Sequence, residues 1–199
     1  KILGELLGYY YYYYPVTTVD VGEYGDGILS KYPIVNVTEH LLDVDENGGF
    51  LMASIDIFGR QVTFCNTHYY YPEAMKPLQA IYELTKDKDP FIITGDFNNQ
   101  DFDVFDSVFA DCTIANHGTV TTNEGSMVDN MIFSPSFEML DFTATNTNAS
   151  DHYLITSNIV TRVQAESGDY TANLQTAAET ANVGDTVYAA IDVSSEVHE

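Results

Sequence analysis

The chain has 199 residues, 45% of them hydrophobic, enough to bury one substantial core, and no apolar run approaches the roughly 20 residues that a bilayer-spanning helix needs. Its 30 acidic against 7 basic side chains give a net charge of -23, which argues against the broad basic surface that grips nucleic acid through counterion release. A catalyst that meets phosphate through a bound divalent cation escapes that objection.

The opening KILGELLG places Ile2, Leu3, Leu6 and Leu7 at helical spacing and stops at Gly8, so it reads as the end of a helix. The run Tyr9 to Tyr14 then predicts a strand, with one aromatic face buried and hydroxyls reaching solvent on the other. Strands follow over Ile28–Tyr32, Ile34–Val44, Phe50–Phe58 and Gln61–Thr67, punctuated by Pro33, Asn47-Gly48-Gly49 and Gly59-Arg60. A helix is expected around Pro77, with Leu78, Ile81, Tyr82 and Thr85 on one face and Lys86 and Lys88 near its negative end. Phe91–Thr94 reads as a strand buried on both faces, followed by a helix carrying Phe102, Phe105 and Phe109. Val128–Phe133 and Tyr153–Val160 supply two further strands. The grouping predicts an α+β layered sandwich of two packed sheets with helices outside.

After about Val163 the texture turns small, acidic and Thr-rich, and Val183–Ser195 reads as a fresh strand. The expected division is therefore a first domain over residues 1–162, then a linker and the start of a β-sandwich, immunoglobulin-like or cohesin-like, over 163–199. Cys65 and Cys112 sit in no metal-binding spacing, which argues against a thiolate zinc site, and geometry decides whether they pair. Acidity, scarce cysteine and a β-rich tail point to a secreted, extracellular protein.

Chemistry-bearing residues cluster at strand ends. In FIITGDFN, Gly95 lets backbone or ligand come close while Asp96 and Asn98 project beyond the strand. Taken alone, that pair fits a polar site on a rigid scaffold and a turn bonding its own backbone equally well. His68, in CNTHYYYPE, ends another strand and shares a face with Asn66 and Phe64. Asp129, in SMVDNMIF, lies on an apolar strand where a carboxylate is costly to bury without a partner, and a histidine suits it. Asp151-His152, in NTNASDHY, opens the last strand.

Together, NTH, GDFN, VD and SDH, in that order, resemble the endonuclease/exonuclease/phosphatase superfamily, which includes pancreatic-type deoxyribonucleases, abasic-site endonucleases, neutral sphingomyelinases and inositol-polyphosphate phosphatases. GDGILSKYPI (Gly25 to Ile34) is similar to its GxxILSRYPI strand, and the helix with Gln79 leading into FIITGDFN matches its layout. The resemblance covers about residues 1 to 160. It implies a four-layer α/β/β/α sandwich of two packed mixed sheets, here with a partial β-rich C-terminal appendage. It also implies a phosphoester hydrolase that uses Mg²⁺ (or Mn²⁺ or Ca²⁺) on a nucleic acid, a phospholipid or a small phosphate ester. By the same resemblance Asp96 orients or deprotonates water, and Asn98 holds a phosphate oxygen or the metal region. His68 donates to phosphate, Asp151 ligates metal, and His152, oriented by Asp129, moves a proton or contacts the scissile phosphate.

Three departures from the pattern stand out. The early Asn and the metal-binding Glu of the superfamily have no counterpart near the N-terminus, where Glu5 reads as a solvated helix residue, so weak metal binding and little turnover are expected of the chain as given. Asn130 stands where Tyr or Arg is common, and Lys31 where Arg is common. The leading expectation is a phosphodiesterase of nuclease type. The alternatives are a secreted phosphomonoesterase, a lipid phosphodiesterase, or a non-catalytic binding module that kept the fold.

Overall fold

The computed structural model describes the chain apart from Lys1, Val21, Asp45 and residues 71–74, 163–169, 177–188 and 196–199. Contacts divide the chain into two units, Lys1–Arg162 and Val163–Glu199. In the first, α1 (Ile2–Leu7) leads into β1 (Tyr10–Val19), which folds back on β2 (Gly22–Ser30) with Tyr14 opposite Asp26. Then come β3 (Ile34–Leu41), β4 (Glu46–Ile57), β5 (Arg60–Tyr70), α2 (Met75–Thr85), β6 (Phe91–Asp96), α3 (Phe102–Val108), β7 (Thr113–Ile114) and β8 (Asp129–Phe133). The principal sheet runs β3-β4-β5-β6-β8-β7. Its β5–β6 pair is parallel and the other pairs antiparallel, with α2 supplying the crossover that a parallel pair requires.

Strand alternation gives this sheet two different faces. Phe50, Met52, Cys65, Tyr69, Phe91, Ile93 and Ile132 point to α2 and α3, where Leu78, Ile81, Phe105 and Phe109 complete the larger core. Val62, Ile92 and Phe133 point the other way and pack with Phe137. The β1-β2 ribbon also packs on β4 and β5. On this second side β9 (Phe137–Met139) and β12 (Ile159–Thr161) form an antiparallel ribbon whose Phe137, Met139 and Ile159 join the smaller core, and β10 (Thr143–Thr145) and β11 (Leu154–Thr156) form another antiparallel ribbon. The architecture is the expected α+β one. Among the described residues no helix is long and apolar enough to cross a membrane.

Local departures have physical reasons. Tyr10 to Tyr13 are all exposed and only Tyr14 is buried, because the β1-β2 ribbon meets the sheet mainly near the Tyr14–Asp26 pair; Tyr12 instead donates to Glu39 Oε1 at 2.9 Å. Gly48 and Gly49, read as a turn, lie in β4, where the pairing register shifts between Glu46 and Gly49. A Cβ at Gly49 would sit 2.2 Å from Asp26 Oδ2, so the glycine makes room for that carboxylate. The single strand read over Tyr153–Val160 is broken at Ser157 and Asn158, whose side chains and backbone are captured by Asp141. Cys65 and Cys112 are both free thiols.

In the second unit β13 (Tyr170–Thr176) pairs antiparallel with β14 (Ala189–Ser195). The expected strand began at Val183; residues 183–188 lie outside the described residues.

Candidate active site

Register brings three of the candidate residues side by side. The parallel β5–β6 pairing sets His68 opposite Asp96, and the antiparallel β6–β8 pairing sets Asp96 opposite Asp129. All three point away from the helices, toward the second layer. Gly95 permits this closeness: a Cβ there would lie 2.0 Å from Thr67 O on β5. Phe97 anchors the strand end from the opposite side, fully buried between Tyr69 and Phe105, with ring centroids 6.0 and 5.2 Å away. Asn98 then turns with φ 45°, a conformation Asn tolerates better than most residues, and its backbone N–H donates to Asp96 Oδ1 at 2.8 Å. The Asp-Asn turn and the polar site are thus the same structure.

Asn98 Nδ2 donates to Tyr69 O at 2.8 Å, which fixes the orientation of the amide, and its nitrogen lies 3.5 Å from His68 Nε2. Asp96 Oδ2 lies 3.7 Å from His68 Nε2 and 3.8 Å from His152 Nε2. His152 in turn donates from Nδ1 to Asp129, at 2.9 Å from Oδ2 and 3.1 Å from Oδ1. His68, Asp96, Asn98, Asp129 and His152 therefore form one connected group. Asp151 stands apart: its side chain is exposed and accepts from Ser150 Oγ at 3.2 Å, while its charge is still felt at His152.

The electrostatics follow from this packing. Burial pushes the Asp96 carboxyl above the usual carboxylate range against the pull of the Asn98 N–H, and the charge of Asp129 adds to the rise while both imidazoles oppose it. For His152, burial favours the neutral ring, but the Asp129 hydrogen bond and the charges of Asp129, Asp96 and Asp151 outweigh it, so its pKa is raised. The arrangement offers a partly buried carboxylate between two imidazole edges.

Residues without a recognisable motif hold these groups in place. Asn116 is fully buried; its Nδ2 donates to Asp129 O at 3.0 Å and to Thr119 O at 2.9 Å. Asn130 turns to the helix side of the sheet, where Oδ1 accepts from Asn116 N at 2.8 Å and Nδ2 donates to Asn116 O at 3.0 Å. It braces the strand and leaves the cleft to Asp129. Thr121 Oγ1 accepts from Asp129 N at 3.2 Å, and Thr121 O accepts from Tyr153 N at 2.7 Å, tying β8 to the Asp151-His152 segment. Tyr24, on β2, approaches His68 through its hydroxyl, 3.2 Å from Nδ1. A lone loop Asn and an exposed strand Tyr carry no local signal of such roles. Lys31 is exposed, with its ammonium 5.8 Å from the centre of the Tyr9 ring.

Asp96, Asp129 and His152 each offer one ligand atom, all within 4.8 Å of one another. Two carboxylates and one imidazole are a donor set that could hold a divalent ion, although both Asp129 oxygens are already engaged by His152.

Comparison with known proteins bears on the fold. The fold is similar to that of an endonuclease/exonuclease/phosphatase family protein from Bacteroides thetaiotaomicron (TM-score 0.66, 19% identity, covering 81% of this chain and 79% of that one). It is likewise similar to the human Nocturnin catalytic domain with bound sulfate anion (TM-score 0.64, 19% identity, 81% and 75%). A third similar structure is humanized D. rerio TDP2 (TM-score 0.63, 14% identity, 80% and 79%). No curated protein matches the sequence. The model of the endonuclease/exonuclease/phosphatase family matches residues 1–152, and the chain belongs to that family, whose members are typically phosphoester hydrolases that use divalent metals.

Proposed function

We propose that the protein is a divalent-metal-dependent phosphodiesterase of nuclease type, cleaving its substrate by in-line attack of water. The observation that carries this reading is the position of Asp96 Oδ2, 3.7 and 3.8 Å from the Nε2 atoms of His68 and His152. A carboxylate whose pKa is lifted by burial is better suited to take a proton from water than an ordinary one. Asp96 orients the water and accepts its proton as the new bond to phosphorus forms and the bond to the leaving oxygen breaks. His68 Nε2 and Asn98 Nδ2 donate to one phosphate oxygen. His152, held by Asp129, presents a second N–H to the phosphate. Such donors, fixed before the reaction, stabilise developing charge without reorganising. Carboxylate oxygens of Asp96 and Asp129, which lie within 4.8 Å of each other, would hold the ion, and Asp151, exposed next to His152 in sequence, would have to turn inward to join them. A bound Mg²⁺ or similar ion would neutralise charge on phosphate and leaving oxygen.

The test is turnover by the full-length protein, with the superfamily's metal-binding Glu in place, on plasmid DNA, bis-nitrophenyl phosphate, sphingomyelin and inositol phosphates, each with and without EDTA. Diester cleavage that EDTA abolishes is the expected result. No metal-dependent turnover on any substrate would reject the enzyme reading, and full activity in His152→Ala would reject the site.

A further inference from the structure

We propose that Tyr24 is a positioning residue for His68: its hydroxyl donates to Nδ1 and so places the ring proton on Nε2, the atom facing Asp96 and Asn98. The proposal deepens the reading of His68 as a phosphate donor and rests on it for its catalytic consequence, though not for the tautomer itself.

The geometry leaves two arrangements. In one, Tyr24 Oη donates across 3.2 Å to a bare Nδ1. In the other, Nδ1–H donates to the phenol oxygen and Nε2 is a bare acceptor. Imidazole nitrogen is the stronger acceptor and phenol the stronger donor, which favours the first. The surroundings of Nε2 favour it again. Asp96 Oδ2 at 3.7 Å rewards a proton on Nε2, whereas Asn98 Nδ2 at 3.5 Å would reward a lone pair there. Interactions with an ionised partner are roughly twice as strong as neutral ones, so the carboxylate prevails.

Tyr24 is well placed to remain a donor. Although Tyr24 is exposed overall, partial desolvation, together with the charges of Asp96 and Asp26, opposes its ionisation. Its ring also meets the His68 ring edge-on, with centroids 5.5 Å apart and planes at 79°, which limits imidazole rotation. With the proton on Nε2, His68 and Asn98 become adjacent donors, since one hydrogen of the Asn98 amide is spent on Tyr69 O and the other remains. Two donors side by side define a place for a phosphate oxygen. With the other tautomer they would satisfy each other, and that place would be lost.

Tyr24→Phe removes the hydroxyl and keeps the ring against His68. Nitrogen-15 NMR at mildly alkaline pH reads the tautomer directly. In the wild type Nε2 should carry the proton. In Y24F, with unfolding temperature unchanged, a clear Nδ1–H population should appear, and kcat on bis-nitrophenyl phosphate should fall about fivefold at similar KM, the equivalent of one neutral hydrogen bond. A wild-type ring protonated on Nδ1, or a tautomer ratio unmoved in Y24F, would overturn the proposal. A shifted tautomer in a protein that cleaves no phosphoester would uphold Tyr24 as the positioning group while rejecting the proposed function.

Discussion

His152 and Asp129 meet through both carboxylate oxygens, with Nδ1 2.9 Å from Oδ2 and 3.1 Å from Oδ1. The contact fixes the proton on Nδ1 of the neutral ring, leaves Nε2 facing Asp96, and supports the imidazolium against the cost of burial. Asp129→Asn keeps the shape and removes the charge. The pKa of His152 should then fall, because the two largest effects opposing burial are removed, and kcat should drop by about 10²- to 10³-fold with a smaller change in KM. NMR titration and steady-state kinetics check the two halves separately. An unshifted His152 titration would show that Asp129 does not govern the ring.

Asp26 presents a different balance. It is 4% exposed, its Oδ2 has no hydrogen-bond partner, and burial lifts its carboxyl to about 7. The unfolded chain releases that proton near pH 4, so between about pH 4 and 7 the folded state binds more protons. Stability contributed by this group therefore falls as pH rises through that window and is level above it. Asp26→Asn lacks this contribution and keeps those of every other titrating group. The stability of the variant relative to the wild type should rise by on the order of 2–4 kcal/mol from pH 4 to pH 8. Urea unfolding across that range measures it, and parallel curves for the two proteins would contradict it.

Gly95 is the point at which backbone spacing and site geometry coincide. A Cβ there would lie 2.0 Å from Thr67 O, and backbone, unlike a flexible side-chain tip, yields little. Gly95→Ala should cost about 2–4 kcal/mol of stability. It should also lower kcat, since spreading β5 from β6 separates His68 from Asp96. Chemical denaturation and turnover on one diester provide the check; wild-type stability would mean the two strands part without cost.

FIITGDFN was legible as a buried strand ending in a polar turn because it joins an apolar run too short for a helix to a glycine and two polar residues; on its own that left a site and an ordinary turn equal. The strand runs two residues further than read, through Asp96, because Gly95 and Asp96 pair with Asn130 and Asp129. That Asp129 needs a counterpart, and that a histidine suits it, could be anticipated from chemistry, whereas the choice of His152 came from the resemblance to the superfamily. Which strands lie side by side could not be. The register that sets His68 against Asp96 depends on how α2 crosses the sheet, and no local pattern encodes it. Asn116 was invisible for a related reason. Its value lies in reaching Asp129 O and the Asn130 side chain, 13 and 14 residues away. The tyrosine run misled because β-propensity specifies a strand without specifying which stretch another layer will cover.

The net charge of -23 gives the proposed nuclease reaction a distinctive salt response. A nuclease held to DNA by lysine and arginine loses affinity as added salt lowers the entropy gained on releasing counterions. Here the long-range field repels a polyanion, and recognition falls to short-range donors and metal. Raising monovalent salt shortens the screening length from about 30 Å at 0.01 M to about 8 Å at 0.15 M, which weakens the repulsion while leaving contacts inside the cleft largely intact. At saturating divalent metal, kcat/KM on plasmid DNA should therefore rise by about tenfold across that range. On bis-nitrophenyl phosphate, which carries a single charge, it should change far less. Steady-state rates on both substrates at matched metal concentrations decide it. A rate on DNA that falls with salt would mean that a local track of the few basic residues outweighs the overall field, and DNA contact would then have to be sought around Lys31 and the other cations rather than at the acidic cleft alone.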